Sequence, residues 1–170
     1  MIREIRLLGD PILRRRTAPV ERFDAELAAF LDDLVETMYA AEGVGLAAPQ
    51  VGDPRRATVI DVSEERDGSQ VLELINPTIL RSEGTLPSEE GCLSIPGLVE
   101  TIERAAEVEV DYRDRRGERH VVSGTELLSR ALQHEIDHLE GILFIDYLGP
   151  LKRRLVVRVV TPHVGDVESK

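Results

Sequence analysis

The chain has 170 residues, 42% of them apolar but only 4% aromatic, and it contains no Trp. That length suits a single domain with a mainly aliphatic core. Its 21 basic and 32 acidic residues leave a formal net charge of −11, which argues against DNA or any other nucleic acid as the main partner. No stretch approaches the roughly 18 apolar residues of a membrane span, and the opening MIREIRLLGDP holds no signal-like apolar run. The single cysteine, Cys92, excludes an internal disulfide. A cytoplasmic protein without a membrane partner is expected.

The first strongly periodic segment, FDAELAAFLDDLVETMYAAEG, predicts a helix. Leu27, Phe30, Leu31, Leu34, Val35 and Met38 recur at helical spacing, Asp24 is placed to cap it, and Gly43 lies just past its end. VGLAAPQVG follows, too rich in Gly and Ala for a well-packed helix. RRATVIDV reads as a strand, and QVLELINPTIL as another, interrupted at Asn76 and Pro77. AAEVEVDYRDRRGERHVVSG alternates through Val108, Val110 and Tyr112, turns near residues 115–117 and returns through Val121 and Val122 as a hairpin. A second helix is expected over about residues 125–140, opened by a capping box of Ser123 and Glu126 and closed by Gly141. The tail after Gly149 and Pro150 is ambiguous. Residues 152–154 suit a helix, residues 155–160 suit a strand, and the end past Pro162 is expected to fray. Strands flanking two helices imply an α+β fold. Residues 1–150 form one catalytic domain in this reading, and residues 151–170 a partly basic extension.

The segment QHEIDHLEG, residues 133–141, carries chemistry. On a wheel of about 100° per residue, Leu128, Ala131, Leu132 and Leu139 share a face with Glu135, and Leu127, His138 and His134 flank it. Ser129, Gln133, Asp137 and Glu140 lie opposite. Polar groups on an inward face need partners. A metal ion between His134 and His138 satisfies both rings at once; the competing reading is two core histidines bonded to backbone groups. H-E-x-x-H most often marks a zinc protease with the glutamate as general base. The metzincin pattern then asks for a third His where this chain has Phe144. The thermolysin arrangement asks for a later glutamate, and only Glu140 and Glu168 follow.

The third ligand therefore has to come from upstream. EEGCLSIPG places Cys92 in a glycine-flanked turn between strand-like segments. Alone, such a cysteine is usually a small buried hydrophobe. Beside a two-histidine site it supplies the missing thiolate and leaves the fourth position open, the catalytic pattern. A third element, GVGLAAPQ, has glycines that let a backbone lie close to a ligand, and it ends on the amide of Gln50.

Together these stretches resemble the bacterial-type peptide deformylase family. Its motifs G-x-G-L-A-A-x-Q, E-G-C-L-S and Q-H-E-x-D-H-L-x-G match residues 43–50, 90–94 and 133–141 without a mismatch, and Asp10, Pro11, Leu13 and Arg14 also fit. The resemblance covers about residues 1–150. It implies antiparallel sheets around a central helix carrying H-E-x-x-H, with an additional N-terminal helix. It also implies hydrolytic removal of the formyl group from formyl-Met peptides by metal-activated water. By the same resemblance Cys92, His134 and His138 bind the metal and Glu135 is the general acid/base. Gln50 and the Leu93 backbone N–H form the oxyanion hole, Val44 and Gly45 hold the substrate backbone, and Glu90 and Leu127 lie near the methionine side chain. Iron(II) is the implied metal, with zinc or nickel also able to occupy the site.

Two positions depart from the family. Val99 stands where many members carry an arginine that pins the peptide, and Arg130 where the methionine pocket is often aliphatic. Both bear on substrate preference rather than on the reaction. Lys152, Arg153, Arg154 and Arg158 form either a solvated basic face or a contact for ribosomal RNA at the peptide exit. Two competing functions are a metalloprotease, which lacks its downstream ligand here, and a non-catalytic metal-binding module. The second needs a fourth ligand, for which His120 and His163 are the spare histidines.

Overall fold

The computed structural model describes residues 1–160. Helix α1, Ala25–Ala40, starts where expected because the Asp24 carboxylate accepts the Leu27 N–H (3.0 Å). Its inner stripe, Leu27, Phe30, Leu31, Leu34 and Met38, is buried and packs with Leu46, Ala57, Val59 and Ile75. Each such aliphatic side chain contributes about 1.5–3 kcal/mol on burial.

Five antiparallel strands form the main sheet in the order β1-β2-β3-β6-β7: β1 Gly45–Ala47, β2 Ala57–Ile60, β3 Leu72–Glu83, β6 Glu107–Arg113 and β7 Arg119–Thr125. The interruption expected at Asn76 and Pro77 is a bulge inside β3 rather than its end. The register shifts between Ile75 and Thr78, Asn76 takes φ 53, and its side chain bonds both N–H and C=O of Val20. β6 and β7 make the expected hairpin. A separate two-stranded ribbon, β4 Leu86–Cys92 with β5 Ile95–Arg104, turns at residues 93–94.

Helix α2, Glu126–Leu139, runs through the middle and packs on β1, β2, β6 and β7. One expectation about it needs correction. The capping box does not form. β7 pairing extends to Thr125 opposite Glu107, which keeps Ser123 extended opposite Glu109, and Thr125 becomes the cap without a side-chain bond. The polar side of the helix, opposite the histidines, is packed as well. Ser129 is fully buried and donates to the Ala105 carbonyl (3.0 Å), while Gln133 bonds both N–H and C=O of Ala105. α2 is central because its apolar face meets the sheet and its polar face meets the chain leaving β5. Gly141 ends the helix as expected, at φ 77, with its backbone pressed against Arg14.

The ambiguous tail resolves as helix α3, Pro150–Val160. Val156 is buried with Leu13, Ile95, Ile102, Phe144 and Ile145, so helical packing decides against a strand. Lys152 pairs with Glu100 (2.7 Å) and Arg153 with Asp146 (3.3 Å), which gives two of the basic side chains partners within the chain. The Arg158 side chain, His163, Glu168 and the end expected to fray lie outside what the structure describes. The folded class is α+β, as the sequence implies. No described helix is long and apolar enough to cross a membrane.

Candidate active site

Helical spacing places His134 and His138 one turn apart on α2 with Glu135 beside them. The ribbon turn brings Cys92 to the same point. Its Sγ lies 3.3 Å from His138 Nε2, and the two Nε2 atoms are 3.1 Å apart. These ligand atoms all lie within 4.8 Å of one another. At the position where a metzincin would carry its third His, Phe144 instead stacks against His134, with ring centroids 6.1 Å apart. His120 belongs to β7, bonds Asp114 (2.7 Å) and takes no part in the cluster.

A metal fits this donor set. His134 Nδ1 bonds Glu90 Oε1 (2.8 Å), the carboxylate partner that keeps a proton on Nδ1 and turns Nε2 towards the cluster. Burial lowers both imidazoles: it prevails at His138, which lies well below its ordinary range, whereas at His134 the bonds to Cys92 and Glu90 outweigh it and hold that ring well above, so an ion would have to displace the His134 Nε2 proton to be bound there. Two imidazoles and a thiolate suit zinc, iron(II) or nickel.

Behind His134 stands a polar chain that is buried at Glu90, Ser88 and Arg104 and reaches the surface at Tyr147. Arg104 grips Glu90 with both Nε (2.7 Å) and Nη2 (2.8 Å), and its Nη1 reaches Asp137 (2.6 Å). Tyr147 donates to Asp137 (2.8 Å), and its ring lies 5.0 Å from the Arg104 guanidinium carbon. Ser88 donates to Glu90 (2.9 Å). Burial alone would raise the Glu90 carboxyl, but the bonds from Arg104 and His134 hold it at about 2. Glu90 lines the cleft as expected, yet its carboxylate is used by Arg104, Ser88 and His134. Arg104, Ser88 and Tyr147 are not singled out by the sequence reading.

Glu135 is 4% exposed, and its Oε1 has no hydrogen-bond partner among the described residues. Burial pushes this carboxyl up to about 7, against the opposing pull of His134. Gly45 lies directly on it. A Cβ added there would stand 2.5 Å from Glu135 Oε2 and 3.0 Å from Cγ. Gly45→Ala should therefore displace the carboxylate, and kcat is expected to fall by about tenfold or more, the scale of a small misplacement within a site; steady-state kinetics on the metal-loaded variant check this.

β1 is an edge strand. The Val44 carbonyl accepts the Asp61 N–H (2.8 Å), and Gly45 is the next residue in register, opposite Ile60. By antiparallel alternation the Gly45 N–H and C=O point away from β2. Gln50 is almost fully buried; its Oε1 accepts the Ala47 N–H (2.9 Å), which aims Nε2 at Cys92 Sγ (3.6 Å) and Ser94 Oγ (3.2 Å). A cleft of about 490 Å³ is lined by Val44, Gly45, Gln50, Glu90, Cys92, Leu93, Leu127, His134 and Glu135, and its wall also includes Val99 and Arg130. Of the expected site residues only His138 is absent from that lining, being buried behind His134.

An α+β fold whose central helix brings two imidazoles and a buried carboxyl group to an upstream cysteine sulfur defines the class, a metal-dependent hydrolase. The polypeptide deformylase family model matches residues 2–154. The peptide deformylase of Rhizobium meliloti is 48% identical over 161 residues, covering 94% of this chain and 92% of that protein. A crystal structure of a peptide deformylase from Legionella pneumophila superimposes with a TM-score of 0.90 at 43% identity, over 100% of this chain and 99% of that one. One from Synechococcus elongatus, in complex with actinonin, gives 0.85 at 41% identity, over 95% and 86% of the two chains. The chain belongs to the peptide deformylase family.

Proposed function

We propose that this enzyme hydrolyses the N-terminal formyl amide of formyl-methionyl nascent peptides and releases formate, with Cys92, His134 and His138 holding one divalent ion, iron(II) first and zinc or nickel as substitutes. Such an ion supplies Lewis acidity and lowers the pKa of water from 15.7 towards about 7. Glu135 takes the proton of the attacking water and returns it to the leaving amine; its buried place beside His134 and against Gly45 supports that role. Gln50 Nε2 and the Leu93 N–H meet the charge that develops on the formyl oxygen. One such donor is typically worth about 3–4 kcal/mol, and the Ala47 bond that pre-orients Gln50 supports the assignment.

The substrate backbone adds to the free edge of β1 at Val44 and Gly45. The methionine side chain lies between Val44, Leu127 and the stem of Glu90, all of which line the cleft. Glu90 has a second task, orienting His134 through its Nδ1. A formyl carbon carries only hydrogen, so a closely fitted pocket rejects acetyl groups.

The meeting of the Cys92 sulfur with both Nε2 atoms beside a buried carboxylate carries this reading. The test is formate release from formyl-Met-Ala-Ser by protein purified without oxygen and loaded with iron(II) or nickel. Steady release that actinonin blocks is expected. No release, or cleavage of unformylated Met-Ala-Ser at a similar rate, would overturn it.

A further inference from the structure

The lip carrying Val44 and Gly45 is held from behind by side chains that the proposed chemistry leaves unused. Tyr39, in the last turn of α1, donates its hydroxyl to Asp61 Oδ2. Asp61 is fully buried just past β2. Its Oδ1 accepts the Ser63 N–H (2.8 Å) and hydroxyl (2.5 Å), and its own N–H bonds the Val44 carbonyl (2.8 Å). Arg66 completes the group. Nη1 donates to the Asp61 carbonyl (3.2 Å), Nη2 to the Gly43 carbonyl (2.5 Å), and the guanidinium carbon sits 5.3 Å from the centre of the Tyr39 ring. Arg66 itself takes φ 48, a left-handed conformation that a residue with a side chain holds only when its surroundings impose it. Both carbonyls ahead of Gly45 are thus tied, one to a guanidinium and one to the backbone of a buried aspartate.

We propose that Arg66 is a positioning residue for the peptide substrate: through Gly43 and the Tyr39–Asp61 pair it fixes the free edge of β1 on which the substrate backbone pairs. The inference rests on the deformylase reading above. An edge ordered in advance spares the complex the cost of ordering it on binding, and a charge-assisted bond to a carbonyl is among the stronger ways to hold it. None of the bonds given for Arg66 goes to Cys92, Gln50, His134, Glu135 or His138. Its bearing on Glu135 passes only through the Gly45 backbone, so its loss should fall mainly on recognition of backbone beyond the formyl-methionine and much less on the chemical step.

The test compares metal-loaded wild type, Arg66→Met and Arg66→Lys on formyl-Met-Ala-Ser and on formyl-Met amide, which lacks the following residues. Arg66→Met is expected to raise KM for the tripeptide about tenfold, the scale of one charged hydrogen bond, with kcat changed less than about twofold and formyl-Met amide little affected. Arg66→Lys, which keeps the charge but can reach one carbonyl at a time, should recover part of the tripeptide KM. An equal fall on both substrates would reduce Arg66 to general structural support and overturn the proposal, as would an unchanged tripeptide KM. Failure of the wild type itself to release formate from either substrate would instead remove the deformylase reading, and the inference with it.

Discussion

Glu135→Gln is expected to lower kcat for formyl-Met-Ala-Ser by about 10²–10⁴-fold, the usual contribution of a positioned proton carrier. The metal content should stay at the wild-type level. The substitution keeps shape and removes only the ability to take and return a proton. It also breaks no bond that the fold relies on at Oε1, which has no hydrogen-bond partner among the described residues. Burial already raises this carboxyl, so the neutral amide is no harder to hold there than the acid. Thermal unfolding should therefore shift little. Kinetics, metal analysis and Tm on one preparation separate the readings. Lost turnover with retained metal and Tm supports Glu135 as the acid/base. Retained turnover would move that role elsewhere, and lost metal would mean that the carboxylate serves the ligands rather than the proton.

The site was more legible in the sequence than the frame around it. His134, Glu135 and His138 could be placed on one inward face because helical period and leucine spacing agree there. Cys92 followed because no downstream residue could serve as third ligand, and the ribbon turn does deliver its sulfur to the two rings. Other features were hidden for physical reasons. β1 consists of Gly45, Leu46 and Ala47, of which Gly and Ala have little strand preference; they are a strand because Ala57–Ile60 offers a partner. Ser129, Gln133 and Asp137 look like a solvated stripe because a helical wheel equates polarity with exposure. Two of them instead satisfy the backbone of Ala105, and Asp137 receives Arg104. Arg104 was invisible because its partners lie 14 and 33 positions away in the chain, so no local pattern announces them. The same limit hid the group around Arg66, whose bond to Gly43 spans 23 positions.

Arg104→Met is expected to destabilise the metal-free protein by about 3–5 kcal/mol, the usual cost of removing one partner from a buried pair. For a chain of this size that corresponds to a fall in Tm of roughly 6–20 °C. The side chains concerned are 4% exposed for Arg104 and 7% for Glu90, so water cannot take over the lost bonds. Burial then acts on Glu90 unopposed by the guanidinium that holds its carboxyl at about 2. The double variant Arg104→Met with Glu90→Gln should regain part of the loss, because the stranded charge goes with it; a double variant as unstable as the sum of its parts would contradict the charge-pair account. A second measurement reads the link to function. Glu90 orients His134 through Nδ1, so a freed Glu90 should weaken metal binding by about 10–100-fold. Titrating the apo variant with nickel, at a temperature where it is folded, keeps that effect apart from the stability change. Unaltered metal affinity in a folded Arg104→Met protein would confine Arg104 to the fold and break the chain argued from Tyr147 through Asp137, Arg104 and Glu90 to His134.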